Sequence, residues 1–463
     1  MGKNYFKYYR KMIEKVAIIG AGISGLSFGY QLIKNNHHNF TIYESTSRCG
    51  GVISTHSDSK YLYEEGPNTF SISDKRTLQM INDLNLEIVY PLDSSKARYI
   101  LRNNEPKNIP NSFFSFLTSD FISLTTKFKI LKEVFNRKKP LNETESIYDF
   151  FERRFNKEFV EYLVNPFIAG TFSGNPKTLS IKHAFPKMYD FENEYKSITK
   201  GFIKSKKPPN QIKRSIISFK SGMEELIISL SKLLEKQICL NSKVISIDNV
   251  DSKFLLKISI NNEIITRVYD KVVVTIPIHK LNELKLTDQD SNDLKNNIVI
   301  DYPPLSTITL SYKKKDIPLP INGFGLLVPE IEKKNILGVL YLSSMFDYRA
   351  PKDETLFTVF IGGSRQPSLA SLSKKEIIKL VKTDLKSIYG IINQPVYVEH
   401  KYWPQSIPQY SLDYQNHLNS LKKIERNLNG LTFTGNYIGG ISLENNILNA
   451  MKSANKLINY NYE

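Results

Sequence analysis

A chain of 463 residues with 41% hydrophobic and 24% charged residues has the composition of a globular protein of two or three domains, which excludes a mostly disordered or fibrous protein. Two cysteines, Cys49 and Cys239, with no CxxC exclude a disulfide framework and a Cys-based zinc or iron–sulfur centre, so no metal is expected. The net charge of +17 leaves open nucleic acid, an anionic membrane surface and an acidic small substrate, and a Lys-, Ile- and Asn-rich coding bias explains part of it without any function.

Residues 1–15 are basic and carry Tyr and Phe, but lack an apolar core and a small-residue cleavage site. They read as a short tail, with Met12 an alternative start. The run 16–33 is apolar enough to suggest a membrane helix, yet its four glycines argue for a strand, a turn and a helix. A buried parallel strand is predicted at 15–19, a helix at Ile23–Lys34 and a second strand at Phe40–Tyr43, with His37 and His38 in a solvated loop before it. A loop follows at 48–55 and a short strand at 61–63. From Pro91 the character changes. Residues 111–135 are aromatic, aliphatic and basic with helical spacing, and 146–163 reads as one amphipathic helix with Ile147, Phe150, Phe151, Phe155, Phe159 and Leu163 near one face. A basic, Pro-containing connector at 204–214 ends this helical section. The α/β pattern then returns: a helix at 222–236, a strand at 243–247, a hairpin of 254–260 with Glu263–Tyr269, and a buried strand at 271–276. Short strands fill 300–362, a helix is expected at Lys374–Tyr389, and 431–434 and 443–460 form the closing strand and helix. No other segment is long enough to span a bilayer, so membrane contact is expected to be peripheral.

The first strand runs into Gly20-Ala21-Gly22-Ile23-Ser24-Gly25. In such a motif the first glycine makes the tight turn, the second lets the backbone approach a pyrophosphate, and the third lets the helix pack close to the sheet. The helix N-terminus offers free N–H groups and partial positive charge. Glu44 ends the second strand, where an acid binds ribose hydroxyls. Strand, helix and acid together point to a dinucleotide site. Arg48, beside Gly50 and Gly51, can bring a cation to the same pyrophosphate.

This arrangement is similar to the FAD-binding amine-oxidase superfamily, as is the C-terminal run of Phe433, Thr434, Gly435 and Asn436, then Gly439 and Gly440, then a helix from near Ser442. A helix dipole there would stabilise an anionic reduced flavin. More narrowly, the chain resembles the oxygen-dependent protoporphyrinogen oxidases, nearest to the plant mitochondrial and bacterial forms. The resemblance rests on Glu65-Gly66-Pro67-Asn68-Thr69, Lys96-Ala97-Arg98-Tyr99-Ile100, Asn165-Pro166-Phe167-Ile168-Ala169-Gly170-Thr171, Leu179-Ser180, Gly325-Leu326-Leu327-Val328-Pro329, Arg349-Ala350-Pro351, Phe360-Ile361-Gly362-Gly363-Ser364-Arg365 and Tyr402-Trp403. Tyr341-Leu342, next to Leu340, departs slightly from the family pattern.

The resemblance implies an α/β fold with a Rossmann-type FAD domain assembled from residues 12–90, 212–285 and 412–463. A helical, membrane-associating domain at 91–211 and a β-rich substrate domain at 286–411 would complete it. It implies FAD held by Gly20, Gly22, Ile23, Ser24, Gly25, Glu44, Ser45, Arg48, Gly50, Gly51, Gly66, Pro67, Val244, Trp403, Gly435, Asn436, Ser442 and Leu443. It further implies that Arg98 pairs with a substrate propionate, that Leu327, Leu340 and Phe360 sandwich a tetrapyrrole, that Asn68 orients the macrocycle, and that the Gly170 carbonyl accepts pyrrole N–H bonds. The implied reaction removes six hydrogens from protoporphyrinogen IX, with oxygen reoxidising the flavin to give hydrogen peroxide. It needs positioning more than acid–base residues. The expected place is the cytoplasm, peripherally at the inner membrane, with a homodimer admitted. Coproporphyrinogen III oxidation, which would favour a more basic pocket, is the rival enzyme reading. The non-enzyme rival is a basic nucleic-acid or membrane-surface module, against which stands the lack of a helix-turn-helix, RRM or zinc-finger signature, so no nucleic-acid partner is expected.

Overall fold

Five short strands from distant parts of the chain pair in one parallel sheet, in the order Ile238–Cys239, Phe40–Tyr43, Val16–Ile19, Lys271–Val274, Leu431–Phe433. The computed structural model describes residues 14–110, 112–135, 144–206, 208–319 and 321–459. The tail at 1–13, Asn111, residue 207 of the connector and Tyr460 onward lie outside the described residues, as do the side chains of Phe113 and Phe114. Register places Ile18 between Ile42 and Val273, and Val273 beside Thr432. These strands are apolar on both sides because both faces are covered. Val16, Ile18 and Val273 pack with Leu26, Leu226 and Ile447, from the helices Ile23–Lys34, Glu224–Leu233 and Leu443–Asn459. Ala17, Ile19, Val272 and Val274 pack against Phe254 and Leu256 of a four-stranded sheet and against Leu421 and Ile424 of the helix Tyr414–Asn427.

A seven-stranded sheet forms the second layer: Tyr397–Trp403, Leu305–Lys313, Glu354–Gly362, Ile336–Tyr341, Gly325–Leu327, Arg98–Arg102, Glu105–Asn108. One face buries Leu326, Val328, Val339, Tyr341, Val359 and Ile361 against Ile377, Val381 and Leu385 of the helix Lys374–Tyr389. The period of two then sends Leu327, Leu340 and Phe360 to the other face, where each is only half-buried.

Several sequence expectations need correction. Residues 146–163 are not one helix. Ile147–Arg154 stops at Phe155, and Asn156 caps the next turn by accepting from the Phe159 N–H at 3.0 Å. A π-helical turn, Val160–Val164, then leads into the helix Asn165–Phe172. Asn is a strong N-cap, and Pro166 has no N–H to continue an α-helical ladder from the preceding turn, so the chain restarts rather than runs through. Leu163 accordingly packs with Phe121 and Ile122, away from Ile147 and Phe150. The connector at 204–214 turns into the strand Gln211–Phe219, which pairs with Phe70–Asp74. The helix expected at 222–236 covers Glu224–Leu233, and the strand at 61–63 covers Leu62–Glu64.

The helical section is held by buried ion pairs. Arg153 donates to Glu145 at 2.8 and 2.7 Å and to Glu192 at 2.7 and 3.0 Å. Arg154 reaches Glu192 at 2.9 Å and Glu133 at 3.0 Å, with side chains 1% and 0% exposed at Arg154 and Glu133. Glu133 also accepts from the Ser197 hydroxyl at 2.7 Å and from the N–H groups of Ile198 and Thr199 at 2.9 and 3.1 Å. Burial by itself would push the Glu133 carboxyl up. The hydrogen bonds from Thr199, Ser197 and Ile198 outweigh it and hold the carboxyl below its ordinary range. Removing one partner strands a buried charge, so Arg154→Ala is expected to cost about 3–5 kcal/mol in urea unfolding. A loss under about 1 kcal/mol, as at an exposed pair, would show that water enters the network.

Candidate active site

The Val16–Ile19 strand ends at Gly20, which adopts φ +106° and donates its N–H to the Tyr43 carbonyl at 2.8 Å. The Thr275 hydroxyl, from the end of the neighbouring strand, lies 2.9 and 3.0 Å from the Ile19 and Gly20 carbonyl oxygens. A Cβ on Gly25 would sit 1.9 Å from the Gly20 carbonyl oxygen. The first turn of the Ile23–Lys34 helix can therefore press against the end of the strand only without a side chain there. At Gly22, the N-cap, the space a Cβ would fill is open to 4 Å. Gly22 is bridged to Gly50, and a Cβ on Gly51 would come 3.7 Å from the Gly22 Cα. The two glycine loops thus form the walls of one backbone cradle at a helix N-terminus, a place suited to phosphate.

Around it, the Glu44 carboxylate accepts from the Ala21 N–H at 2.9 Å and from the Thr46 N–H and hydroxyl at 2.9 Å each. The exposed Ser45 is 3.3 Å from the same carboxylate. Arg48 spends its guanidinium on its own loop, donating to the Cys49 and Ile53 carbonyls at 3.1 Å and to Gly51 at 2.7 Å. The Ser24 hydroxyl meets Asn446 at 3.3 Å, tying Ile23 and its helix to the C-terminal one. Val244 is buried in the strand Ser242–Val250, at a bulge. Gly66 lies so close to the Val52 carbonyl that a Cβ would be 2.0 Å away. Pro67 and Asn68 follow, the Asn68 amide donating to the Gly66 carbonyl at 3.2 Å.

The C-terminal loop enters the same region at φ +154° for Gly435. The Asn436 side chain accepts from Tyr302 at 3.2 Å and its carbonyl from Tyr410 at 2.5 Å. The Tyr410 hydroxyl accepts from the Gly440 N–H at 3.0 Å, and Tyr414 donates to the Tyr437 carbonyl. Ser442 caps the last helix, which starts at Leu443, by accepting from the Asn445 N–H at 3.1 Å. The tyrosines and Thr275 were not singled out in the sequence. Their hydroxyls act on loops far away in the chain, and no motif marks them.

Across the half-buried face of the large sheet, Ile100, Leu327, Gly338 and Phe360 stand in one register row, and Arg98, Gly325, Leu340 and Thr358 in the next. Gly170 is exposed in the last turn of Asn165–Phe172, where a Cβ would be 2.4 Å from Leu327. The N–H groups of Ser173 and Gly174 both return to Ile168 rather than to Gly170, consistent with the unfilled carbonyls of a helix end. Asn165 and Arg365 fasten this helix to the sheet. Arg365 donates to the Val328 carbonyl at 2.9 Å and to Asn165 at 3.3 Å, and burial pulls its guanidinium down to about 10. Arg98 is exposed beside the Phe324 ring, 5.2 Å from its centroid. Leu340 also packs toward the cluster of Tyr61, Tyr63 and Phe346. Trp403 donates its indole N–H to the Glu65 carbonyl at 3.2 Å, and Lys401 pairs with the Glu65 carboxylate at 2.9 Å. Both contacts fasten the segment leading to Gly66, Pro67 and Asn68, and neither was read from the sequence.

Two observations fit a dinucleotide with a flavin ring. The cradle is open where a Cβ on Gly22 would stand, and the Asn68 side-chain amide oxygen is buried without a protein partner among the described residues. An open cleft of about 970 Å³ lies elsewhere, outside the Leu431–Phe433 edge strand, and holds neither glycine loop nor the half-buried sheet face.

Residues 23–458 match the family model of flavin containing amine oxidoreductases. The chain is 34% identical to the mitochondrial protoporphyrinogen oxidase of Nicotiana tabacum, covering 96% of this chain and 95% of that one. It is 25% identical to the coproporphyrinogen III oxidase of Bacillus subtilis, over 93% and 94%. A solved structure from Exiguobacterium sp. 255-15, described as a candidate protoporphyrinogen oxidase, superposes with a TM-score of 0.78 over 96% of this chain and 98% of that one, at 20% identity, and so shares the fold. With a glycine cradle at the end of a parallel sheet and agreement along nearly the whole length, the chain belongs to the flavin containing amine oxidoreductases and is an FAD-dependent oxidoreductase.

Proposed function

We infer that the protein oxidises protoporphyrinogen IX to protoporphyrin IX, removing six hydrogens in three rounds with oxygen as the acceptor and hydrogen peroxide as its product. The observation that carries this reading is the half-buried apolar face of Leu327, Leu340 and Phe360, with Arg98 beside it. A flat apolar macrocycle fits such a face, and an arginine fork fits a carboxylate at its edge. FAD, when bound, supplies the hydride acceptor. The backbone of Gly20, Gly22, Gly25, Gly50 and Gly51 would hold its pyrophosphate. Glu44 and the loops carrying Gly66, Pro67, Gly435 and Asn436 would bound the rest. The protein's own part is to orient the macrocycle, with Asn68 and the Gly170 carbonyl as the polar groups aimed at it.

The cations nearest this face favour two propionates over four. Lys401 is paired with Glu65, while the Arg98 guanidinium stands over the Phe324 ring with no carboxylate partner among the described residues. A coproporphyrinogen would bring two further carboxylates toward an apolar face, at a desolvation cost. In a side-by-side aerobic assay followed by porphyrin fluorescence, protoporphyrinogen IX is expected to turn over faster. Faster turnover of coproporphyrinogen III would move the enzyme to that branch. Arg98→Ala is expected to raise KM about 10- to 100-fold with kcat nearly kept. An unchanged KM would remove Arg98 from the site.

We further propose that the protein associates peripherally with a membrane surface on the cytoplasmic side. Leu124, Phe128, Leu131 and Phe135 recur on one helical face and are 80%, 55%, 53% and 78% exposed, with Lys127, Lys129 and Lys132 between them. The opposite side is anchored: Glu158 accepts from Ser123, Thr126 and Arg102. Exposed Phe202 and Ile203 lie on the helix that begins at Ile198, whose N–H bonds Glu133. An apolar strip rimmed by lysines suits an anionic bilayer surface. Among the described residues, no helix is long and apolar enough to cross a membrane. Leu124→Glu with Phe128→Glu and Phe135→Glu is expected to weaken cosedimentation with anionic vesicles more than about tenfold while turnover in detergent persists. Unchanged cosedimentation would exclude this face.

A further inference from the structure

Arg349 belongs to none of the groups that bound the cofactor cradle or the half-buried face, yet its side chain is buried to 2% exposure and pairs with an equally buried Glu64 at 2.9 Å. A buried pair of this kind is costly to assemble and strongly destabilising to break on one side, so its geometry tends to be held. From Glu64 a continuous polar path runs to the cradle. The Thr55 hydroxyl donates to the Glu64 carboxylate at 2.5 Å and accepts from the Glu224 N–H at 3.0 Å. The Glu224 carboxylate accepts from the Thr55 N–H at 3.0 Å and stands 3.7 Å from the Arg48 guanidinium. Arg48 in turn holds the Cys49, Gly51 and Ile53 carbonyls, and Gly50 is bridged to Gly22.

The other end is tied to the substrate side. Arg349 precedes the strand Glu354–Gly362, which carries Phe360, and its carbonyl accepts from the Leu62 N–H at 3.1 Å. Its second nitrogen donates to the Ser218 hydroxyl at 2.7 Å. Glu64 also accepts from the Met223 N–H at 3.1 Å, at the start of the helix Glu224–Leu233. Gly222 makes the approach possible: at φ +93°, a Cβ there would be 2.3 Å from the Thr55 methyl and 3.0 Å from a Glu64 oxygen. Glu65, the next residue, is held by Lys401 and Trp403 of the large sheet. One short strand, Leu62–Glu64, and the residue after it therefore carry contacts to both layers.

We propose that the chain Arg48, Glu224, Thr55, Glu64, Arg349 sets the position of the glycine cradle relative to the substrate face, with Glu64 and Arg349 as positioning residues that tighten FAD binding without touching it. The inference rests on the cradle as the flavin site and not on the identity of the porphyrinogen. Its test therefore reads FAD affinity apart from turnover, so that failure of the substrate assay leaves it standing.

The experiment is FAD titration of the apoprotein, followed by flavin fluorescence, for wild type, Arg349→Met, Arg349→Lys, Thr55→Val and the double variant Thr55→Val/Arg349→Met. Arg349→Met is expected to weaken FAD binding about tenfold, Thr55→Val about threefold, and the double variant less than the product of the two. Arg349→Lys is expected to recover part of the loss, which a simple loss of packing volume would not give. An Arg349→Met protein with wild-type circular dichroism, a cooperative melt and FAD affinity within about twofold of wild type overturns the proposal. If Arg349→Met does not fold, Thr55→Val decides by the same measure: unchanged FAD affinity overturns it and a weakened one supports it.

Discussion

The close contact between Gly25 and the Gly20 carbonyl is the constraint on which the site depends. It lets the helix Ile23–Lys34 start directly over the end of its strand. The Thr275 hydroxyl, 3.0 Å from the same carbonyl, locks the neighbouring strand to that turn. Because the sheet is parallel, the ends of Val16–Ile19, Phe40–Tyr43, Lys271–Val274 and Leu431–Phe433 all point one way. Everything that follows those ends, from Gly20 and Glu44 to Thr275 and Gly435, is delivered to one place.

The second layer uses the plain alternation of β-structure to make a different surface. The strands that bury Val339, Val359 and Leu326 on one side must present Leu340, Phe360 and Leu327 on the other. Among the described residues that second face is met at Leu327 and Phe360 by parts of the helical section, Phe121, Leu163 and Ala169, and it stays half-buried at Leu327, Leu340 and Phe360; the helix end at Gly170 approaches it through a contact that only glycine permits. The two layers meet through a small apolar cluster, Tyr61 and Tyr63 with Phe346, Leu356 and Tyr397, and through polar groups, with Lys401, Trp403 and Arg349 on one side and the Leu62–Asn68 segment on the other. Paired polar groups add a defined geometry to that apolar contact, because a buried ion pair is strongly destabilised when either partner shifts away.

The inserted helical section follows a different rule. Its interior holds Arg154 between Glu133 and Glu192, while Leu124 and Phe135 face outward. Beside this cluster the section buries an ordinary apolar core of Ile147, Phe150, Val160 and Ile168. The charged cluster fixes the chain that follows Leu124–Lys132, and the apolar side of that helix stays exposed, which is the surface on which the membrane proposal rests.

The sequence by itself determined the strand, turn and helix from Val16 to Lys34, the glycine cradle and the hairpin ending at Tyr269, because each is a local pattern whose partners lie within a few residues. It also named Gly20, Gly22, Gly25, Gly50 and Glu44, which the structure brings together at the end of the parallel sheet, since motif order survives where contacts are invisible. Only the tertiary structure decided that Arg48 turns back on its own loop, that 146–163 breaks at Asn156, and which face of the large sheet stays open. The pairs Lys401–Glu65 and Arg349–Glu64 join residues hundreds of positions apart. Charge and burial at such positions are set by which strands become neighbours, and no local periodicity encodes that choice.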